Sequence, residues 1–151
     1  MNDCVNRYDN LRIPVAATKR ISGPTPYYGA NGIQDYVSGY THDGEFILVA
    51  EDGANDLNDY PVQYVHGKVW VNNHVHVLQA KVNADNKFLK YAISQINIQP
   101  FLVGGSRAKL NAETMMRLLV NTPNSVYEQV LIGNYFASID SLITLHQREH
   151  L

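Results

Sequence analysis

One cysteine, Cys4, is all the chain has. It permits no internal disulfide and no cysteine-built metal cluster, and near a terminus it reads as a small buried or idle residue rather than a nucleophile. Nor is there any apolar run approaching the roughly 20 residues needed to span a bilayer. The first residues, with Asp3, Asn6 and Asp9, lack the apolar core of a signal peptide, so the expectation is a cytoplasmic protein without a membrane partner. Cofactor motifs are missing as well. The run Gly104-Gly105-Ser106-Arg107-Ala108-Lys109 lacks the spacing of a P-loop, and no N-P-P-[YF] methyltransferase motif or glycine-rich cofactor loop occurs. No cofactor and no methyl transfer by the chain alone are expected. Internal repeats, low-complexity tracts and linkers are absent too. With 151 residues and 45% apolar content, the chain can bury a single core.

Positive charge is scarce in one half. Residues 21–67 hold no Lys or Arg but seven acids: Asp35, Asp43, Glu45, Glu51, Asp52, Asp56 and Asp59. From Lys68 to Arg117 the balance reverses, with seven bases against Asp85 and Glu113. Arg7, Arg12, Lys19 and Arg20 add a basic group at the start. A net charge of −2 argues mildly against a nucleic-acid partner, yet this distribution allows one positive face on a near-neutral protein; a scatter of solvated charges is the plainer alternative.

The stretch from Gly67 to Leu78 places Val69, Val71, Val75 and Val77 on one face at period two and Trp70, Asn72, His74 and His76 on the other. Such alternation predicts a half-buried strand with a core face and a polar face free for use. Upstream, Leu11 to Ala17 reads as a short extended segment around Pro14. Asn31-Gly32 is a hairpin-type turn flanked by Tyr27 and Tyr28. Phe46 to Ala50 is a buried strand ending at Glu51-Asp52-Gly53. Downstream the period changes: Asp85 or Asn83 caps a helix carrying Phe88, Leu89, Ala92, Ile93 and Ile96. Gly104 to Lys109 is then a flexible basic loop suited to phosphate oxygens, before a short helix capped by Asn111. Ser125 to Glu128 is a capping box opening a long helix, with Ile132, Phe136, Ile139 and Ile143 beside a second stripe of Leu131, Tyr135, Leu142 and Leu145. An apolar face that wide needs a partner. Because the pattern still runs at Leu151, the expectation is a fragment or a helix that pairs with another helix. The division is a domain over residues 1–123 and a projecting helix over 124–151.

One chemical reading remains open on these residues, and a second motif match is read as coincidence. His74 and His76, with Glu51 or Asp52 as a third ligand, could form the metal site of a small metal-dependent enzyme. Asp85-Asn86-Lys87 matches half of a nuclease motif but lies at a helix cap with no upstream acidic partner.

Several segments taken together carry a resemblance. They are Cys4, Arg12 to Val15, Lys19-Arg20, Pro26 to Val37, Asp43 to Glu45, Ala50 to Asn55 and Gly67 to Leu78. With Glu128-Gln129, Ile132-Gly133, Tyr135-Phe136, Ile139-Asp140, Ile143 and Leu145 to Arg148, they resemble a target-recognition domain of a type I restriction-modification specificity subunit, followed by the start of its spacer helix. The resemblance implies an α/β (α+β) fold: a compact β-rich domain with a few helices, then a coiled-coil helix. It also implies a non-catalytic reader of one half of a bipartite DNA sequence. Implied partners are double-stranded DNA, methyltransferase (modification) subunits and, through the complex, a restriction subunit, with no metal and no cofactor. Phosphate contacts are expected from Lys19, Arg20, Lys68, Ser106, Arg107 and Lys109. Base contacts are expected from Tyr27, Tyr28, Asn31, Asn72, Asn73 and His74, or, if those segments are scaffold, from the Asp56 to Gln63 loop. Phe136, Ile139, Leu142 and Ile143 are expected to meet a partner helix. Such subunits carry two recognition domains, whereas this chain has one, so self-pairing through the helix is a further expectation.

Overall fold

The computed structural model describes residues 1–150. Six strands form one sheet: β1 (Val5–Arg7), β2 (Ser22–Gly29), β3 (Gly32–Val37), β4 (His42–Ala50), β5 (Val62–Val71) and β6 (Val75–Ala80), in the order β1-β6-β4-β5-β2-β3. Three helices follow: α1 (Asn86–Ser94), α2 (Ala112–Arg117) and α3 (Val126–Glu149). This is the α+β class expected.

The run Phe46 to Ala50 forms the buried half of β4, which lies inside the sheet with β5 and β6 antiparallel on either side. Both of its faces are covered, which is why its sequence is continuously apolar rather than alternating. Ile47 and Val49 join Leu78, Phe88, Leu89, Ile93, Leu110 and Met115 in a core between sheet and helices. Phe46 and Leu48 face the other way, into a core made of strand residues, Val65, Val69, Val71, Val75 and Val77, with Tyr8 and Tyr28 packed against it. The four valines of the Gly67–Leu78 stretch thus share one core, as the alternation predicts.

That stretch is nonetheless not one strand. It breaks at Asn72 to His74, and its halves become β5 and β6, which flank β4 without pairing to each other. The polar face expected of a single strand is therefore lost. Asn72 is buried and accepts the His74 N–H, which makes the turn, while His76 points into the interior at 0% exposure. The Asn31-Gly32 hairpin joins β2 to β3 as expected, and β2 runs parallel to β5 with Tyr27 beside Trp70 and Tyr28 beside Val71. Leu11 to Ala17 forms no strand. It crosses the sheet end with a single ladder-like bond, from the Ile13 N–H to the Val71 carbonyl.

Both long helices begin where their caps predict. The Asp85 carboxylate accepts the Phe88 N–H at 3.0 Å, and the Ser125 hydroxyl accepts the Glu128 N–H at 3.3 Å. Asn111 precedes α2 but makes no side-chain cap. The start of α3 is tied to the domain by Gln129, whose buried amide accepts the Asp85 N–H and donates to the carbonyls of Asn83 and Pro123. One turn later Gly133 lets α3 close on α1, since a Cβ there would lie 2.7 Å from the Phe88 nitrogen.

Candidate nucleic-acid interface

A buried polar network braces one end of the sheet. The His76 ring meets the Asp9 carboxylate with Nδ1 and the Leu110 carbonyl with Nε2, each at 2.7 Å. Asp9 also accepts the Val77 N–H and an Arg7 N–H. Burial alone would raise the Asp9 carboxyl, but the hydrogen bonds from His76 and Val77, the His76 charge and Arg7 outweigh it and hold the group at about 2. Arg12 extends the network: its guanidinium donates to Glu51 at 3.0 Å and to the carbonyls of Asn73 and Val75, clamping the 72–74 turn to the end of β4.

On this brace sit four loop segments. Residues 103–109 close a small hairpin, with Val103 and Lys109 exchanging backbone bonds at 3.0 and 2.8 Å, and Leu110 N–H donating to the Glu51 carbonyl. The basic loop expected to be flexible is thus pinned at its base. Gly104 has φ of +96°, and a side chain there would strike the Arg107 carbonyl, so the turn that presents Arg107 requires glycine. Opposite, Asn31 at the tip of the β2–β3 hairpin donates to the Gly53 carbonyl and accepts the Asn55 N–H, joining that tip to the turn after β4. Asp52 in that turn bonds His74 Nδ1 at 2.5 Å. Asn31, Gln34, Asp52, His74 and Arg107 line one pocket of about 240 Å³.

Several sequence-predicted site residues prove to be scaffold. Tyr27, 2% exposed, spends its hydroxyl on the Val15 backbone. Arg20 lies over its ring at 4.1 Å, donates to the Val15 carbonyl and pairs with Asp35, so its guanidinium is committed. Tyr28 packs against the strand core. Asn72 is buried and Asn31 is engaged at both ends of its amide, so neither is free to read a base. Lys109 stands 3.9 Å from Glu51. Lys19, Lys68, Asn73, Ser106 and Arg107 are exposed; Lys68 stands 5.0 Å from the ring centre of Tyr40. The alternative 56–63 loop is organised by Asp56, which accepts the N–H groups of Asn58 and Asp59. Its exposed acids would repel phosphate.

The two histidines do not assemble a metal site. His76 has both nitrogens engaged inside the core and His74 belongs to a separate pair with Asp52. Among the described residues no three His, Cys, Asp or Glu side chains are grouped to hold an ion. Asp85 of the partial nuclease motif is the α1 cap. The residues that sequence reasoning missed are Asp9, His76 as a brace, Arg12 as a clamp and Gln34 in the pocket. Of these, Arg12, Gln34 and His76 fell within family-like segments, and nothing in their local pattern marked them for these roles.

At the far end, α3 divides in two. Phe136 stacks near Tyr91 with ring centres 5.4 Å apart, and the Tyr91 hydroxyl donates to Asp140. From Asp140 onward every described residue is exposed. Ile139 is half-buried at the divide, and Leu142 and Ile143 stand in solvent. At 1.5 Å per residue the free part of α3 extends about 14 Å.

Comparison with known proteins agrees with this architecture. The chain is 46% identical over 123 residues to a putative type I restriction enzyme specificity subunit of Haemophilus influenzae, covering 82% of this chain and 32% of that protein. It is 25% identical over 117 residues to the EcoprrI type I restriction enzyme specificity subunit of Escherichia coli, covering 78% and 28%. The chain therefore spans about a third of the length of these relatives. The crystal structure of a type I restriction-modification S subunit from M. genitalium superposes with a TM-score of 0.78 over 98% of this chain and 40% of that one, at 15% identity. A family model described as the type I restriction modification DNA specificity domain matches residues 4–151, and the chain belongs to that family.

Proposed function

We propose that this chain is a non-catalytic target-recognition domain that reads one half of a bipartite double-stranded DNA sequence. The observation that carries the reading is the loop end of the sheet. Four segments distant in sequence are locked together there by Arg12, Asn31 and the Asp9–His76 pair, and they present Asn73, Ser106 and Arg107 to solvent. Rigid support under exposed polar side chains is what base discrimination requires. Lys19 and Lys68 lie further along the β2–β5 pair, where Lys19 shares a hollow with Trp70. With Ser106 they supply phosphate contacts that set register.

The free half of α3 is the docking element in this reading. Leu142 and Ile143, together with Ile139 and Phe136, offer an apolar stripe to a second helix, from the remainder of a longer subunit or from another copy of this chain. Modification subunits, and through them a restriction subunit, assemble on the helices so formed. Self-pairing about a two-fold axis would hold two recognition domains at fixed separation and specify a palindromic bipartite site.

Selection from a randomised duplex pool, followed by sequencing, tests the reading. Enrichment of one short motif is expected, together with no turnover of S-adenosylmethionine or DNA by the chain free of partner subunits. A pool that stays random, or methyl transfer by the isolated chain, refutes it. Mass measurement by sedimentation at micromolar concentration tests the self-pairing: a wild-type chain that is strictly monomeric, like Ile139→Asp with Ile143→Asp, defeats it.

A further inference from the structure

The hairpin carrying Arg107 was expected from its composition to hold phosphate, but its surroundings favour another ligand. Arg107 shares its pocket with the Asp52 carboxylate. One Asp52 oxygen is taken by His74, and the other has no hydrogen-bond partner among the described residues. A phosphate drawn into this pocket by Arg107 would face a carboxylate of its own sign. The Arg107 guanidinium makes no hydrogen bond or ion pair among the described residues either. Among the described residues, the pocket therefore offers both a free fork of donors and a free acceptor.

Two further features fit a neutral, flat, mixed donor–acceptor ligand. Gln34, whose amide can both donate and accept, lies flush on the backbone of Gly29; a Cβ on that glycine would fall 2.1 Å from the Gln34 amide nitrogen. At about 240 Å³ the pocket is also smaller than the roughly 300–1,000 Å³ of small-molecule sites, so it admits the edge of a ligand more readily than a whole metabolite. In the major groove a G·C pair presents the guanine N7 and O6 acceptors beside the cytosine amino donor. Arginine meets the first two bidentately, and a carboxylate meets the third.

We infer that the pocket between the β2–β3 hairpin tip and the 103–109 hairpin reads a single G·C base pair, with Arg107 on guanine and Asp52, oriented by His74, on the cytosine amino group. The inference rests on the DNA-reading function proposed above and assigns Arg107 to specificity rather than to phosphate. Pinning of the 103–109 hairpin through Leu110 to Glu51 and His76 gives Arg107 the fixed origin that bidentate contact needs. Lys19 and Lys68 keep the phosphate role.

The test is binding-site selection from a randomised duplex pool with wild type, Arg107→Ala, Asp52→Asn and Lys68→Ala, followed by titration of the selected duplex and its single-base variants at several salt concentrations. Arg107 is exposed and unpaired among the described residues, so its truncation leaves the fold intact; Asp52→Asn is checked for unchanged melting before use. The wild-type motif should contain a G·C position at which Arg107→Ala relaxes preference by about fivefold or more, the other positions being retained, and Asp52→Asn should relax the same pair. Lys68→Ala should instead weaken all duplexes equally and lower the salt slope by about one. If Arg107→Ala behaves like Lys68→Ala, Arg107 is a phosphate contact and the inference falls while the DNA-reading function stands. A wild-type motif without a G·C position also overturns it. A wild-type chain that selects nothing removes the underlying function and this inference together.

Discussion

Asp9 is where acid should weaken the protein first, and the size of the effect follows from its surroundings. The carboxylate is almost fully buried, yet it is held at about 2 against an ordinary value of 3.8 by His76, the Val77 N–H and Arg7. A carboxyl lowered on folding stabilises the native state wherever it is ionised in both states, so its contribution is complete above about pH 4. It fades as pH falls through the unfolded value and is gone below about 2. At about 1.4 kcal/mol per pH unit between the two values, Asp9 contributes about 2 kcal/mol at neutral pH, a sizeable share of the 5–15 kcal/mol typical of a domain. Asp9→Asn keeps the shape but removes the charge facing His76. Urea denaturation of wild type and Asp9→Asn at steps between pH 6 and pH 2 should show the wild type losing about 2 kcal/mol more across this range. The variant should already be less stable at pH 6 by at least that amount, because an uncompensated buried partner remains. Parallel stability–pH curves for the two proteins would refute the reasoning. The consequence reaches the candidate site, since His76 also holds the Leu110 carbonyl at the base of the 103–109 hairpin; Asp9→Asn should speed hydrogen exchange at Val103 and Lys109.

Other outcomes follow from the docking of α3. Gly133→Ala places a methyl 2.7 Å from the Phe88 nitrogen and should cost about 1–3 kcal/mol in denaturant unfolding; an unchanged midpoint would mean that α3 does not close on α1 as described. Gln129→Leu strands the Asp85 N–H and should cost about 1–3 kcal/mol, read by the same assay. Tyr91→Phe removes only an exposed tether to Asp140 and should leave stability within about 1 kcal/mol while raising hydrogen exchange in α3 near Asp140.

How far the sequence could be read depended on whether a residue's role is local. The Asn31-Gly32 turn, the Asp85 and Ser125 caps and the apolar run of β4 were legible because each is decided within a few residues by backbone geometry or by burial on both faces. The Gly67–Leu78 stretch misled for the opposite reason. Its valines do share a core, but nothing local reveals that β4 inserts between its halves and turns Asn72 and His76 inward. Base-reader candidates Tyr27, Asn31 and Asn72 have polar groups suited to recognition. What engages Tyr27 and Asn31 is the Val15 backbone and the Gly53–Asn55 turn, partners supplied by other parts of the chain, while Asn72 is buried by the strands packed around its turn.

The sequence by itself determined the helices capped by Asp85 and Ser125, the Asn31-Gly32 turn, the buried run of β4, the two-sided charge and the family resemblance, because these rest on periodicity, short-range hydrogen bonding and composition. Only the tertiary structure decided which polar side chains are free. Asp9 and His76 are 67 positions apart, and Arg12 and Glu51 are 39 apart, so their mutual satisfaction has no local signature. A polar residue becomes a binding group only when folding leaves it exposed and without an internal partner, as it leaves Arg107 among the described residues. That condition depends on every segment packed around the residue at once, and no stretch of sequence around it contains the answer.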